Sequence, residues 1–114
     1  MSQLTKSYTI FLSDVDRIQV RQTRSGNRIL EFSVQYEALI NSRWRKIIRY
    51  DNAHDSSPHR HVFYPDNPEY KHPMDILDSN DAFTEAQIVV KKSFMRMKES
   101  YILLLSRTDG ENHE

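Results

Sequence analysis

Leu30-Glu31-Phe32-Ser33-Val34-Gln35-Tyr36-Glu37-Ala38 decides the fold. Leu30, Phe32, Val34, Tyr36 and Ala38 alternate with Glu31, Ser33, Gln35 and Glu37. A period of two over this length sends one set of side chains to a buried face and the other to water. A helix, with its 3.6-residue repeat, cannot do that. This segment is therefore expected to be a central strand, with the other elements arranged around it.

Before it, Arg24-Ser25-Gly26-Asn27 is a turn, because Gly26 and Asn27 both tolerate positive φ. Ile18 and Val20 alternate with Arg17, Gln19 and Arg21, and Tyr8 to Leu12 alternate again, so two more strands are expected. After it, Asn41-Ser42 is a second tight turn. The fourth strand carries Trp44, Ile48 and Tyr50 on one face and Arg43, Arg45, Ile47 and Arg49 on the other. Arg43 or Arg45 is expected to oppose Glu37 across that hairpin. His61-Val62-Phe63-Tyr64 suits a short fifth strand. Pro65, Pro68 and Pro73 mark residues 65–79 as loop.

The period then changes. Phe83, Ala86, Val90, Phe94, Met97, Tyr101 and Leu104 recur three or four apart, which predicts a helix over residues 80–106 and a frayed tail over 107–114. The expected fold is α+β in a single domain: an antiparallel meander of four to five strands, residues 8–64, packed by one long C-terminal helix. Apolar Ile102, Leu103 and Leu105 exceed one helical face, so the helix end is either deeply buried or reaches a partner, a homo-oligomer through that helix or a different protein.

The chain has 114 residues, no cysteine and zero formal net charge. Absence of cysteine excludes disulfides, thiolate metal sites and thiol catalysis. No apolar run approaches the roughly 20 residues of a membrane span, and the N-terminus lacks a signal-peptide pattern, so a cytoplasmic protein with no membrane partner is expected. Two glycines leave no phosphate-cradling loop. Charge is uneven: from Arg17 to Arg49 eight basic residues meet only Glu31 and Glu37. Such a stretch is either a solvated sheet face or a surface for an anion or nucleic acid.

Chemistry-bearing side chains concentrate in Arg49-Tyr50-Asp51-Asn52-Ala53-His54-Asp55-Ser56-Ser57-Pro58-His59-Arg60-His61. RNA cleavage by the ribose 2′-hydroxyl needs a base, an acid and cationic stabilisation of the phosphorane. His54, His59 and His61 can move protons, with Asp51 orienting a histidine. Arg49 and Arg60, with Arg45 and Arg43, can hold phosphate. His59 and His61 also share one strand face, as paired metal ligands would. A His-x-His without further fixed spacing does not define a metal site, and no metal or cofactor is assigned. In the purely structural alternative, Asp51 and Asn52 close a strand by Asx-turn bonds and the histidines cap backbone groups.

Trp44-Arg45-Lys46-Ile47-Ile48-Arg49-Tyr50-Asp51-Asn52-Ala53-His54, followed by Pro58-His59-Arg60-His61, resembles the core of TumE-like proteins of toxin–antitoxin systems. It is also similar to a related bacterial family with an Arg-Tyr-Asp-x-Ala-His segment before Pro-His-Arg. The chain has Tyr50 where TumE-like proteins tend to have tryptophan, and a shorter stretch from Ala53 to Pro58. The resemblance implies a cytoplasmic toxin acting beside a cognate antitoxin. Ribonuclease activity on RNA is the expectation from the residue types. The alternative is a non-enzymatic nucleic-acid- or protein-binding module that uses the basic sheet face.

Overall fold

The structure, a computed structural model, describes residues 2–53 and 57–112. Six strands follow one another: β1 (Leu4–Ser13), β2 (Asp16–Ser25), β3 (Arg28–Ile40), β4 (Arg43–Asp51), β5 (His59–Tyr64) and β6 (Asn67–Pro73). They form one sheet in that order, each antiparallel to the next. One helix, α1 (Ser79–Asn112), completes the α+β fold.

The expected count of four to five strands is thus corrected to six. The added strand, β6, comes from the proline-rich stretch read as loop. Proline cannot donate to a ladder, but β6 is an edge strand and needs to pair only with β5. The first strand begins at Leu4 rather than Tyr8, and the helix runs from Ser79 to Asn112 rather than over residues 80–106.

The turns follow local chemistry. Asn41 and Ser42 have φ of 53° and 65°, and Ile40 pairs Arg43 across them. Two residues at positive φ match the right-handed twist of the flanking strands. Gly26 supplies φ of 59° between β2 and β3.

One sheet face packs against α1. Ile18, Val20, Phe32, Val34, Tyr36, Ala38, Ile48 and Tyr50 are buried there with Ala82, Phe83, Ala86, Val90 and Tyr101. Phe32 meets Phe83 at a centroid distance of 5.7 Å and Tyr36 meets Phe94 at 5.8 Å, both tilted as ring quadrupoles favour.

Bulges alter the simple alternation. The ladder between β2 and β3 shifts after Thr23, leaving Leu30 as an extra residue. Ile29 is buried in its place and Leu30 is exposed. A second shift sets Tyr36 opposite Ile48 but Glu37 opposite Lys46, so Ile47 is extra in β4. Ile47 and Ile48 are both buried as a result. The bulge also reverses the face of Trp44, which stands against Phe11 and the Arg17 guanidinium on the side away from α1. Trp44 therefore does not share the face of Ile48 and Tyr50. Lys46, not Arg43 or Arg45, opposes Glu37, and Arg17 binds Glu37 at 2.7 Å.

Two polar anchors hold the helix. At its start, Asp78 accepts the Asp81 N–H at 2.9 Å as an N-cap. Asn80 accepts the Ile29 N–H and donates to the Asn27 carbonyl, both at 2.8 Å, joining the helix to the β2–β3 turn. Further along, Lys98 reaches Asp16 at 3.0 Å. Tyr36 and Ser13 donate to the same carboxylate at 2.6 and 2.7 Å. Burial pushes the Asp16 carboxyl up, but the hydrogen bonds from Tyr36, Ser13 and Lys98 outweigh it and hold the group below its ordinary value. Its own burial, and after it the same contact, push the Tyr36 phenol well above its ordinary value.

Removing this charge strands Lys98 against the sheet. Asp16→Asn should cost about 3 kcal/mol at neutral pH, the low end for breaking a buried pair. A folded-state pKa below the unfolded one contributes stability that is complete above about pH 4 and lost as pH falls further. Thermal melts of both proteins should differ by about 10 °C near pH 7 and converge below pH 4. A difference that does not change with pH would contradict this.

Candidate functional site

The register between β4 and β5 builds the site. Arg49 stands opposite His61 and Asp51 opposite His59. Directly opposed residues project to the same side of a sheet. The two polar pairs therefore share one face, the one away from α1.

Their side chains are joined. The Arg49 Nε donates to Asp51 Oδ2 at 2.7 Å. His61 Nε2 lies 3.3 Å from Asp51 Oδ1. On the other side of the ring, His61 Nδ1 lies 2.7 Å from Glu69 Oε2, within ion-pair range but out of line for a ring N–H bond. Arg49 Nη2 completes the circuit at 3.6 Å from the same glutamate oxygen. Asp51 and His61 each keep only 10 % of their side-chain surface exposed, so solvent screens their contact little.

This cluster forms one end of a trough of about 360 Å³ across the open face. Arg21, Thr23, Glu31, Ser33 and Gln35 line it from β2 and β3; Arg49, Asp51, His61 and Lys71 line it from β4 to β6. Beside it, the Arg17 guanidinium lies 3.9 Å above the Trp44 ring. Lys46 and Arg49 lie 5.3 and 5.5 Å from the Phe63 ring centre. Cations thus alternate with aromatic rings on this face.

The expected site residues separate as follows. Arg49, Asp51 and His61 come together, and His59 shares their face by its register opposite Asp51. Arg60 does not join them: it stands opposite Tyr50 on the helix-covered side and bonds the Tyr50 phenol. Burial pushes that phenol above its ordinary value while Arg60 pulls it down. Arg43 and Arg45 lie before the bulge at the far end of β4, about 10–20 Å along the strand from Arg49. Arg45 Nε is bound to the Ile40 carbonyl of its own hairpin at 3.3 Å. His54 lies outside the described residues.

Sequence reading missed Glu69 and Lys71, because the prolines around them obscured a strand. The signal was there: Glu69 and Lys71 alternate with Tyr70 and His72. It also missed the reach of Asn52, which is 3 % exposed. Asn52 Oδ1 accepts the Phe32 N–H at 2.9 Å, and Nδ2 donates to the Leu30 carbonyl at 3.1 Å and to Ser79 Oγ at 3.0 Å. This single amide ends β4, satisfies β3 and fixes the start of α1.

Among the described residues, no group of three His, Asp or Glu side chains is placed to hold a metal ion. Asp51 and Glu69 address opposite nitrogens of one imidazole, so the ring stands between them instead of sharing a cation with both. The arrangement can instead bind anions along the trough and pass protons through a carboxylate-held histidine.

The chain is thus a six-stranded meander with one face closed by a helix and the other open around a histidine–carboxylate–arginine cluster. It belongs to the family described as Domain of unknown function (DUF7718), whose model matches residues 1–103. No curated protein and no solved structure matches it.

Asn52→Ala leaves the Phe32 N–H and the Leu30 carbonyl without their buried partner, at a cost of about 2–3 kcal/mol. Hydrogen exchange should show the Phe32 amide losing protection more than that of Val34. Equal protection at Phe32 in both proteins would refute the anchoring role.

Proposed function

We propose that the open sheet face binds single-stranded RNA and that the Asp51–His61 pair cleaves it without a metal. The observation that carries this reading is the shared face of Arg49, Asp51, His59 and His61, set by the β4–β5 register. His61, oriented by Asp51, takes the proton of a ribose 2′-hydroxyl. That oxygen attacks phosphorus while Arg49 and Lys71 offset the added charge. His59, two positions along the same strand face, returns a proton to the departing 5′ oxygen. The aromatic rings of Trp44 and Phe63 suit stacking of unpaired bases, and the neighbouring cations suit their phosphates. The likeness of Trp44–His61 to TumE-like proteins supports a place for this activity as the toxin of a toxin–antitoxin pair, restrained by a cognate antitoxin.

A second reading is a binding module with no chemistry. It is favoured by the carboxylates lying against both nitrogens of His61. Both readings require RNA on the open face, and they part at His61.

Single-stranded RNA should bind with an affinity that falls as salt rises, with a log–log slope of about −2 for three phosphate contacts. Arg49→Ala should weaken binding about tenfold. RNA should be cut in the presence of chelator, and His61→Ala should lower the rate at least 100-fold while leaving affinity within threefold. Binding without cleavage would leave the module reading. A flat salt response would remove both.

A further inference from the structure

The surface of α1 turned away from the sheet carries Ile88, Met95 and Ile102, which are 41, 52 and 41 % exposed. They are seven residues apart, close to two helical turns, so they form one stripe. It runs along the side opposite Ala86, Val90 and Met97, which face the sheet. Isolated exposed apolar residues need no explanation, whereas an aligned set points to something that covers it.

We infer that a second copy of the chain covers this stripe, its helix running antiparallel about a two-fold axis at Met95. The spacing is symmetric about that residue. Each Ile88 then meets the second copy's Ile102, and Met95 meets itself. Charge selects this direction. Lys92 and Glu99 flank the stripe on the same side, at 100° per residue. Antiparallel pairing brings Lys92 within about 1.5 Å of the height of the second copy's Glu99, and symmetry makes that ion pair twice. A parallel pair would set Lys92 beside the second copy's Lys91.

On the other flank Lys91 approaches the second copy's Lys98. That ammonium is turned inward onto Asp16 at 3.0 Å and is 14 % exposed, so it does not face the stripe. The contact spans about 21 Å of helix, less than a standard interface, and the dimer is accordingly weak, with Kd on the order of micromolar. The trough lies on the other side of the sheet and stays uncovered, so each dimer presents two outward-facing sites.

Sedimentation equilibrium of the purified chain should show a monomer–dimer equilibrium. Met95→Glu should raise Kd at least tenfold with an unchanged circular dichroism spectrum, since Met95 is exposed. Lys92→Glu should also weaken the dimer, and Lys92→Glu combined with Glu99→Lys should restore it. The chain has no cysteine, which allows a direct test of direction. Met95→Cys should oxidise to a disulfide dimer, whereas Ile88→Cys should cross-link with Ile102→Cys but not with itself. A monomer at every concentration, a dimer indifferent to Met95→Glu, or cross-linking of Ile88→Cys to itself would each overturn the inference.

Discussion

The extra residue at Ile47 is the constraint on which the two faces of this molecule depend. A regular β4 would alternate without interruption from Arg43 to Asp51. Trp44 and Lys46 would then share the helix-covered side with Ile48 and Tyr50, and a lysine would be forced into the core. The bulge lets Ile47 and Ile48 both turn inward, so Trp44 and Lys46 before it and Arg49 and Asp51 after it all reach the open face. One inserted residue thus aligns the aromatic end of the sheet with its histidine end.

The two faces are stabilised by different physics. The covered face gains from apolar burial and ring packing, with polar groups admitted only where they are fully bonded. Asp16 receives Tyr36, Ser13 and Lys98, and Asn52 uses both its oxygen and its nitrogen. Both are specificity devices as much as stabilisers, since each is satisfied in only one placement of α1 against the sheet. The open face has no comparable apolar cover. It holds its charges by mutual pairing, as in the Arg49–Asp51–His61–Glu69 circuit, and leaves a trough between them.

The central architecture was legible because alternation from Phe32 to Ala38 is uninterrupted and the turns carry residues that their φ values demand. Parity alone put Arg49 with Asp51 and His59 with His61. Whether the pairs met depended on hairpin register, and no residue in the turn dictates that. Bulges were illegible, because a strand with two adjacent isoleucines reads equally well in either phase, and Leu30 and Ile29 are interchangeable by hydropathy. β6 was hidden by prolines that an edge position tolerates. Arg60 stands apart from the residues it was grouped with because nearness in sequence says nothing of side: it is one residue from two histidines and on the other face of the sheet.

The order of elements along the chain has a consequence during synthesis. Every strand pairs with its immediate predecessor, so the sheet can assemble hairpin by hairpin as the chain emerges. The residues of α1 that cover it come last. Tyr50 closes the apolar set on the sheet, and Tyr101 closes the matching set on the helix. At about 5–20 residues per second, that interval leaves the apolar face of a nascent sheet in water for roughly 3–10 s. During that time the protein is an open sheet with one apolar face and no lid. The exposure comes from the order of the elements along the chain, not from the stability of the finished fold.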